Sequence, residues 1–165
     1  MIKYNKAILL LGGNIGNTKE YLAKAIKLLT SELCNPCKVS NLYESEPWGF
    51  ESSQNFINQV VEFDTSKDPI TLLDTTQKIE KALGRKEKTG TQYESRPIDI
   101  DILFIDNVIF QSERLIIPHK LLHERRFTLL PLSDHWNNLI HPVFNKTIDQ
   151  LLLECNDKSI VKKIV

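Results

Sequence analysis

Two aspartates in an otherwise apolar segment are the residues of this sequence best placed to do chemistry. Asp99 and Asp101 lie in the run RPIDIDILFI, residues 96–105. Alternate side chains of a β-strand share a face, so both carboxylates are predicted to lie on one face, about 7 Å apart. Leu103 and Ile105 continue that face, which indicates a strand that becomes buried on both sides. The opposite face is predicted to consist of Ile98, Ile100, Ile102 and Phe104.

Paired carboxylates next to apolar residues require a compensating cation. Ligands that are all oxygen favour a hard ion, and Mg²⁺ is the first choice. Arg96 precedes the strand directly, and a metal ion with an arginine beside two aspartates is typical of polyphosphate chemistry. The alternative is an edge strand with two solvated aspartates.

The segment before this strand has the composition of a loop. Residues 85–96 are charged, contain a glycine and have no hydrophobic periodicity. Arg85 and Arg96 stand at its two ends, so the loop could close as a lid over a polyphosphate. A solvated connector is the competing interpretation.

A second candidate site lies in the strand predicted over residues 55–63. Ile57 and the alternate residues after it form its core face, which leaves Phe56 and Asn58 together on the opposite face, beside a long polar loop. An aromatic ring next to an amide suits a flat heterocycle, because the ring stacks on it and the amide reads its edge. A hairpin with polar surface residues would explain the pattern equally well.

Three other motifs are better explained by structure than by chemistry. The glycines at 12–13 follow a buried strand, but the Gly-Lys-Ser/Thr triplet of a phosphate-binding loop is absent, so they are interpreted as a tight turn. The CxxC at 34–37 follows a helix instead of opening one and has no second CxxC, which favours unpaired thiols. His119 and His123 have helical spacing for zinc, but they lack the HExxH pattern.

Hydrophobic periodicity predicts an α+β fold. The order β-α-β-β-α-β is that of a ferredoxin-like antiparallel sheet with helices on one face, here with a C-terminal hairpin and helix addition. The strands are predicted at 7–11, 39–43, 55–63 and 96–105, the helices at 17–33, 68–83, from 118 and at 147–153, and the hairpin at 108–117.

Composition limits the class of protein further. The 165 residues fit a single domain, 1–165, and equal numbers of basic and acidic residues (21 each) argue against nucleic acid as a partner. No apolar run is long enough for a membrane span or a signal peptide. Three cysteines, an odd number, fit a reducing cytoplasm. We expect a cytoplasmic monomer without a membrane partner.

The aspartate segment also resembles a known signature. Arg96-x-x-Asp99-Ile-Asp101-Ile-Leu is similar to the motif of the 6-hydroxymethyl-7,8-dihydropterin pyrophosphokinase family of folate biosynthesis. Further matching pieces occur in the same order along nearly the whole chain: Leu11-Gly12-Gly13-Asn14, Tyr43 with Pro47 and Gly49, Phe56-Ile57-Asn58, Gln77-x-x-Glu80, Gly84-Arg85, Arg114-Leu115, Pro118-His119 and Arg125-x-Phe127.

The resemblance implies a role for each matching position. The catalytic residues would be Asp99, Asp101, Arg85 and Arg96, and the two aspartates would hold two Mg²⁺ ions. The ATP site would comprise Gln77, Glu80, Arg85, Tyr93, Arg96, Ile102, Arg114, Ile116, His119 and Arg125. The pterin site would comprise Ser45, Trp48, Phe56, Asn58 and Phe127. Departures from the family pattern, such as Glu46 in place of a second proline, affect mainly the loop contacts.

The implied activity is transfer of pyrophosphate from ATP to 6-hydroxymethyl-7,8-dihydropterin, with AMP as the second product. Two other hypotheses remain. A metal-dependent phosphohydrolase would also use paired aspartates and arginines, but it would release phosphate without a pterin. A non-catalytic ferredoxin-like module would bind RNA or a small regulator, and it would need a basic or aromatic sheet face.

Overall fold

The chain folds around an antiparallel sheet with helices on both faces. The computed structural model describes Lys3 and residues 5–87 and 93–164, so part of the predicted lid, residues 88–92, lies outside the described residues. The strands are β1 (Asn5–Gly13), β2 (Pro36–Val39), β3 (Tyr43–Ser45), β4 (Phe56–Thr65), β5 (Asp99–Ile105), β6 (Phe110–Gln111), β7 (Ile116–Ile117) and β8 (Val161–Lys163). The helices are α1 (Thr18–Glu32), α2 (Pro69–Ala82), α3 (Arg126–Ser133) and α4 (Ile148–Glu154).

The strands of the main sheet run in the order β5-β1-β4-β3-β8, and β2 pairs with β4 alongside β3. Every pairing in it is antiparallel. Strand β1 lies inside the sheet, and its side chains enter apolar clusters on both faces, which explains why residues 7–13 are all buried. The predicted hairpin is confirmed as the small β6-β7 sheet.

Two apolar clusters cover the two faces of the sheet. One contains Leu22 and Leu29 of α1 together with Leu72 of α2. The other contains Leu129 of α3 and Leu151 of α4. Helices α3 and α4 therefore form a second layer on the face opposite α1 and α2, whereas the β6-β7 hairpin packs on the side of α1 and α2 and β8 extends the sheet.

A β-bulge in β5 changes which side chains share a face. The β1–β5 register shifts between Ile8 and Leu9, so that Ile8 pairs with Phe104 and Leu9 with Ile102. Leu103 is the extra residue, and a bulge places consecutive side chains on one side.

The faces predicted for the end of β5 are therefore wrong. Phe104 packs with Leu103 in the cluster of α3 and α4. Ile105 packs with Ile100 and Ile102 in the cluster of α1 and α2. Strict alternation holds only up to the bulge.

The helix boundaries follow local capping chemistry. Asn17 and Asp68 accept hydrogen bonds from the backbone of Glu20 and Thr71, as expected of N-caps. Gly84 follows α2 with φ of 96°, in the left-handed region that favours glycine. Both predicted helix starts are confirmed.

Three predictions differ from the structure, and one strand was not predicted. The glycines at 12–13, expected in a tight turn, lie within β1 and pair with β4, and their missing side chains allow neighbouring chain to approach closely. The strand expected over 39–43 is split into β2 and β3, because Ser40 pairs with the backbone of Val60 between them. The helix expected from residue 118 is only a 3-10 turn, Leu122–Glu124. The His119 ring accepts the Leu121 N–H, which satisfies this turn locally. Strand β8 was not predicted, since three residues carry little periodicity.

Among the described residues, no helix is long and apolar enough to cross a membrane.

Candidate active site

Two cavities meet at one carboxylate. The first, the aromatic cavity, encloses about 500 Å³ of space partly open to solvent. The second, the β5–β7 groove, encloses about 620 Å³ and is more open. Asp101 lines both of them. The aromatic cavity is lined by Leu10, Gly12, Ser45, Glu46, Trp48, Phe50, Phe56, Asn58, Tyr93, Arg96, Asp99, Asp101, Arg125 and Phe127.

A buried amide forms the polar end of the aromatic cavity. Asn58 of β4 and Ser45 of β3 are each 2% exposed. The Asn58 Nδ2 donates to Ser45 Oγ at 2.8 Å, which fixes the orientation of the amide. A Cβ on Gly12 would lie 2.6 Å from the Asn58 Oδ1, so the glycine allows β1 to pass this close. The position of this amide is set by three neighbouring strands.

Aromatic rings form the walls of this cavity. Phe50 packs edge-on against Phe56, with ring centroids 5.9 Å apart. Trp48 contacts Tyr93 and Phe127 in the same edge-on manner, at 5.7 and 6.4 Å. Such a lining suits a planar, partly apolar ligand.

The positively charged guanidinium of Arg125 packs against three of these rings. Its guanidinium carbon lies 4.6 Å from the Trp48 centroid and 5.5 Å from those of Tyr93 and Phe127. Its Nη2 donates to the Tyr93 hydroxyl at 2.8 Å, and its Nη1 lies 3.9 Å from the Asp101 carboxylate. Arg125 is only 5% exposed, so its charge acts in a desolvated setting.

A cluster of acids and arginines stands beside the aromatic cavity. Arg85 contacts the carboxylates of both Glu80 and Asp99. Arg96 Nη1 lies 3.1 Å from Asp99 Oδ2. Glu80, 5% exposed, also accepts the Ile100 N–H at 3.0 Å and so links α2 to β5.

The three acids of this region have divergent proton affinities. Burial opposes ionisation of Asp99, but the charges of Arg96 and Arg85 hold its pKa below the ordinary value. Burial, then the negative charge of Asp99, raises the pKa of Asp101 to about 7. The same two causes raise the pKa of Glu80 to about 8. The carboxylates therefore repel one another in the absence of a further cation.

The β5–β7 groove combines an apolar floor with polar ends. Ile102 and Ile116 line it together with His119, whose Nε2 lies 3.9 Å from Asp101 Oδ2. Burial, then the nearby charge of Arg125, lowers the pKa of His119 to about 4, so its ring is neutral near pH 7. Arg114 lies at the outer end and contacts Asp74 at 2.6 Å.

The donor set fits a magnesium ion that also binds phosphate. Among the described residues, no group of three or more His, Cys, Asp and Glu side chains could hold a metal. Mg²⁺, however, is bound in phosphate sites by one or two carboxylates, with waters and phosphate oxygens completing the shell. Asp99 and Asp101 supply that number, and a cation between them would relieve their repulsion.

The structure brings most of the predicted site residues together. All five residues predicted for the pterin line the aromatic cavity: Ser45, Trp48, Phe56, Asn58 and Phe127. Four of those predicted for ATP line the groove: Ile102, Arg114, Ile116 and His119. Three others line the aromatic cavity: Tyr93, Arg96 and Arg125. Three line neither: Gln77, Glu80 and Arg85.

The residues outside both cavities still contact members of the site. Gln77 is exposed on α2 and lies 3.4 Å from Arg114. Arg85 contacts the carboxylates of Glu80 and Asp99. These contacts connect the three residues to side chains that line the two cavities.

Sequence reasoning missed several residues of the site. Leu10, Glu46 and Phe50 line the aromatic cavity without having been predicted there. Phe50 could have been found from its place beside Trp48 in an aromatic loop. Asn14, which contacts Arg96, was noted only as part of the matching Leu11-Gly12-Gly13-Asn14 piece, and no role at the site was predicted for it.

The chain matches known proteins over most of its length. Residues 8–137 match the family model described as 7,8-dihydro-6-hydroxymethylpterin-pyrophosphokinase (HPPK). The chain is 39% identical over 140 residues to the 2-amino-4-hydroxy-6-hydroxymethyldihydropteridine pyrophosphokinase of Aquifex aeolicus, covering 85% of this chain and 86% of the relative. It is 34% identical over 158 residues to the enzyme of that name from Haemophilus influenzae, covering 94% and 96%.

The fold matches a solved structure at lower sequence identity. The Plasmodium falciparum HPPK-DHPS wild type with pteroate superposes with a TM-score of 0.77 at 20% identity. The match covers 92% of this chain and 44% of the Plasmodium chain, so it concerns one part of a larger protein. At this identity the match bears on fold alone.

Proposed function

The chain belongs to the 7,8-dihydro-6-hydroxymethylpterin-pyrophosphokinase family, and from this we propose that it transfers pyrophosphate from ATP to 6-hydroxymethyl-7,8-dihydropterin in folate synthesis. The hydroxymethyl oxygen loses its proton to the solution and forms a bond to the β-phosphorus of ATP, and the bond from that phosphorus to the α,β-bridging oxygen breaks. AMP leaves, and the pterin keeps both transferred phosphates.

The observation that carries this proposal is the position of Asp101 between the two cavities. A pterin in the aromatic cavity and a nucleotide in the β5–β7 groove would meet beside this carboxylate. Transfer between two bound substrates requires such a junction, because the reacting atoms must approach to about 3–3.5 Å.

The aromatic cavity supports the pterin assignment. Phe56 and Phe127 offer ring faces for a bicyclic heterocycle, and the buried Asn58 amide offers a donor and an acceptor to its edge. Ser45 holds that amide, and Trp48 covers the side of the cavity. The five residues predicted for the pterin keep that role as a proposal.

The phosphate end depends on the arginines and aspartates. Asp99 and Asp101 would hold magnesium, and we propose two ions, which would supply charge neutralisation at the phosphate oxygens. Arg85 and Arg96, now paired with Asp99, would donate to the phosphates instead. Arg125 and His119 flank Asp101 and would contact the same phosphates.

The remaining nucleotide contacts follow from the groove. Ile102 and Ile116 would pack against the adenine, and Arg114 would lie near its exposed edge, with Gln77 beside it. Glu80 would act by orienting Arg85. Tyr93 would belong to the closing loop, since it already contacts Trp48 across the aromatic cavity.

We also propose a ferredoxin-like core in one domain that spans residues 1–165. Strand order β5-β1-β4-β3 with antiparallel pairing supports the arrangement, if β2 and β3 are counted as one interrupted strand along β4. The two apolar clusters share one sheet, which supports a single domain.

Separation of adenine nucleotides after incubation with ATP, Mg²⁺ and the dihydropterin tests the proposed reaction. We expect AMP only when the pterin and the metal are both present, and none after addition of EDTA. ADP and phosphate without pterin would instead indicate a phosphohydrolase, which the family comparisons do not favour.

A further inference from the structure

Asn14 holds both backbone polar groups of Arg96. It follows β1 directly and is 3% exposed. Its backbone N–H donates to the Arg96 carbonyl at 2.9 Å, and its side-chain Oδ1 accepts the Arg96 N–H at 2.9 Å. One residue therefore fixes the main chain from which the Arg96 side chain extends.

The orientation of the Asn14 amide is determined by its partners. The Arg96 N–H can only donate, and the Gln54 carbonyl, 3.4 Å from Nδ2, can only accept. Nδ2 also donates to Ser95 Oγ at 3.0 Å. A flipped amide would break the contacts to both backbone groups, so the side chain has a single satisfactory arrangement.

The neighbouring glycine makes this contact possible. A Cβ on Gly13 would lie 2.2 Å from the Pro97 carbonyl oxygen, which is much closer than a carbon and an oxygen that are not bonded can approach. The absence of a side chain at this position allows the residues 96–97 to lie against the end of β1. Gly13 and Asn14 together set the distance between β1 and the start of β5.

The same amide connects two loops that serve different ligands. Gln54 belongs to the loop that leads into β4, and β4 contains Phe56 and Asn58. Ser95 belongs to the last part of the predicted lid, and its Oγ lies 3.4 Å from that of Ser52. Asn14 thus stands where the root of the lid meets the loop leading to the aromatic cavity.

We infer that Asn14 is a positioning residue for Arg96 in pyrophosphoryl transfer. It touches neither cavity, and it acts by fixing the arginine main chain so that the guanidinium starts from a defined place. Long side chains lose much rotamer entropy when they are ordered, and a fixed main chain reduces the number of bonds that must still be ordered. This inference rests on the proposed function.

Hydrogen exchange at the Arg96 amide tests the contact without any activity. Asn14→Ala removes the acceptor, and we expect exchange at this amide to accelerate by about 10-fold or more, as for a lost hydrogen bond. Asn14→Asp keeps the acceptor and should keep the protection. Asn17→Ala is the matched control, because it removes an N-cap amide from the adjacent helix without touching Arg96. Equal exchange in the Asn14→Ala and Asn17→Ala variants would overturn the inference.

A double-mutant cycle tests the positioning role. Asn14→Ala should lower kcat by about 10- to 100-fold, the expected cost of a misplaced catalytic group. In an Arg96→Ala background the same change should alter kcat by less than about twofold, because the two residues act as a unit. An equal loss in both backgrounds would overturn the inference, since it would mean that Asn14 acts independently of Arg96.

A replacement variant and the wild-type assay distinguish failure of the positioning role from failure of the proposed function. If Asn14→Ala does not fold, Asn14→Ser takes its place, because its shorter side chain cannot reach the Arg96 N–H. If the wild-type chain forms no AMP, the proposed function fails and the positioning role fails with it. AMP formation with an Asn14→Ala variant as active as Asn17→Ala would contradict only the positioning role.

Discussion

The aromatic cavity and the acid–arginine cluster lie side by side, but they are organised in opposite ways. In the cavity, Asn58 and Ser45 are buried and bonded to each other, and the rings already surround an open space. In the cluster, Arg85 and Arg96 are bound to Asp99, the residue that would hold metal. The aromatic cavity is therefore open and its polar groups are already oriented, whereas the charged groups of the cluster are paired with one another.

The difference follows from the cost of leaving polar groups unpaired. A buried neutral amide can remain with only one hydrogen-bond partner, because the free-energy cost of its other unpaired donor or acceptor is modest. Partly buried charges that lack a partner are much more costly, so the arginines and aspartates of the cluster pair with one another. Under the proposed function, phosphate and metal would replace these partners. We therefore expect substitutions in the cluster to act mainly on turnover and substitutions in the cavity mainly on affinity.

The largest effect is expected for the two carboxylates that are proposed to hold metal. Asp101→Asn should lower AMP formation by about 10³-fold or more, because several kcal/mol of charge stabilisation are lost. Pterin binding, followed by tryptophan fluorescence, should remain near the wild-type value. Asp64→Asn on the distant end of β4 is the control. Loss of folding in both Asp99→Ala and Asp101→Ala, by circular dichroism, would instead indicate that these carboxylates are structural.

A smaller effect is expected in the aromatic cavity. Asn58→Ala should weaken pterin binding by about 10- to 100-fold, the value of a buried hydrogen-bonding group. ATP affinity should change by less than about twofold, because the amide lies away from the groove. Asn41→Ala, which removes a surface amide bonded to Asp134, controls for lost stability. Equal losses of pterin and ATP affinity would contradict the division between the two regions.

The burial of Asp101 and its repulsion by Asp99 also predict a pH dependence of stability in EDTA without ATP. The pKa of Asp101 is raised from 3.8 to about 7, so the folded state binds this proton more tightly than the unfolded state. Its contribution to stability is present below pH 4 and is lost as the pH rises to about 7. Asp101→Asn lacks this loss and should become relatively more stable by about 1–2 kcal/mol over that range, after allowance for solvent screening.

Thermal unfolding of both proteins between pH 4 and 8 measures this difference. The Glu80 carboxyl, with a pKa of about 8, titrates in both proteins and should largely cancel. If the difference in stability between the wild type and Asp101→Asn stays constant with pH, the pKa of Asp101 is not raised in the folded protein and the prediction is wrong.

The smallest effect is expected at the rim of the groove. Arg114 is half exposed and paired with Asp74, so Arg114→Ala should raise the KM for ATP by about two- to fivefold and leave kcat unchanged. Lys146→Ala, which breaks a comparable surface pair with Glu154, should leave both constants unchanged. A fall in kcat for Arg114→Ala would contradict this prediction, because it would mean that Arg114 affects turnover as the residues of the cluster do.

The residues predicted from pattern alone are those whose signal is local. Asp99 and Asp101 could be placed on one face because alternation requires only neighbouring residues, and Phe56 and Asn58 were placed likewise. The arginines at the two ends of the charged loop were also found from the pattern, and the resemblance to a family supplied the remaining site residues, such as Arg125 and His119. Strand β5 and the two N-capped helix starts were predictable for the same local reason.

Contacts between distant segments were not predictable from the sequence. Asn14 and Arg96 are 82 residues apart, and nothing near either residue indicates the other. The stacking of Arg125 on Trp48 likewise depends on the tertiary fold. The bulge at Leu103 has no glycine or proline to mark it, so strict alternation was assumed to the end of β5 and failed at Phe104.

That bulge separates two requirements on one strand. Residues before Leu103 must turn the carboxylates toward the aromatic cavity, and residues after it must fill the interior with Phe104 and Ile105. Without the extra residue, a shift of the strand register by one position would move the side chains at both ends of β5 to the opposite face. The extra residue therefore sets the facing of the carboxylate end of β5 separately from the facing of its packing end.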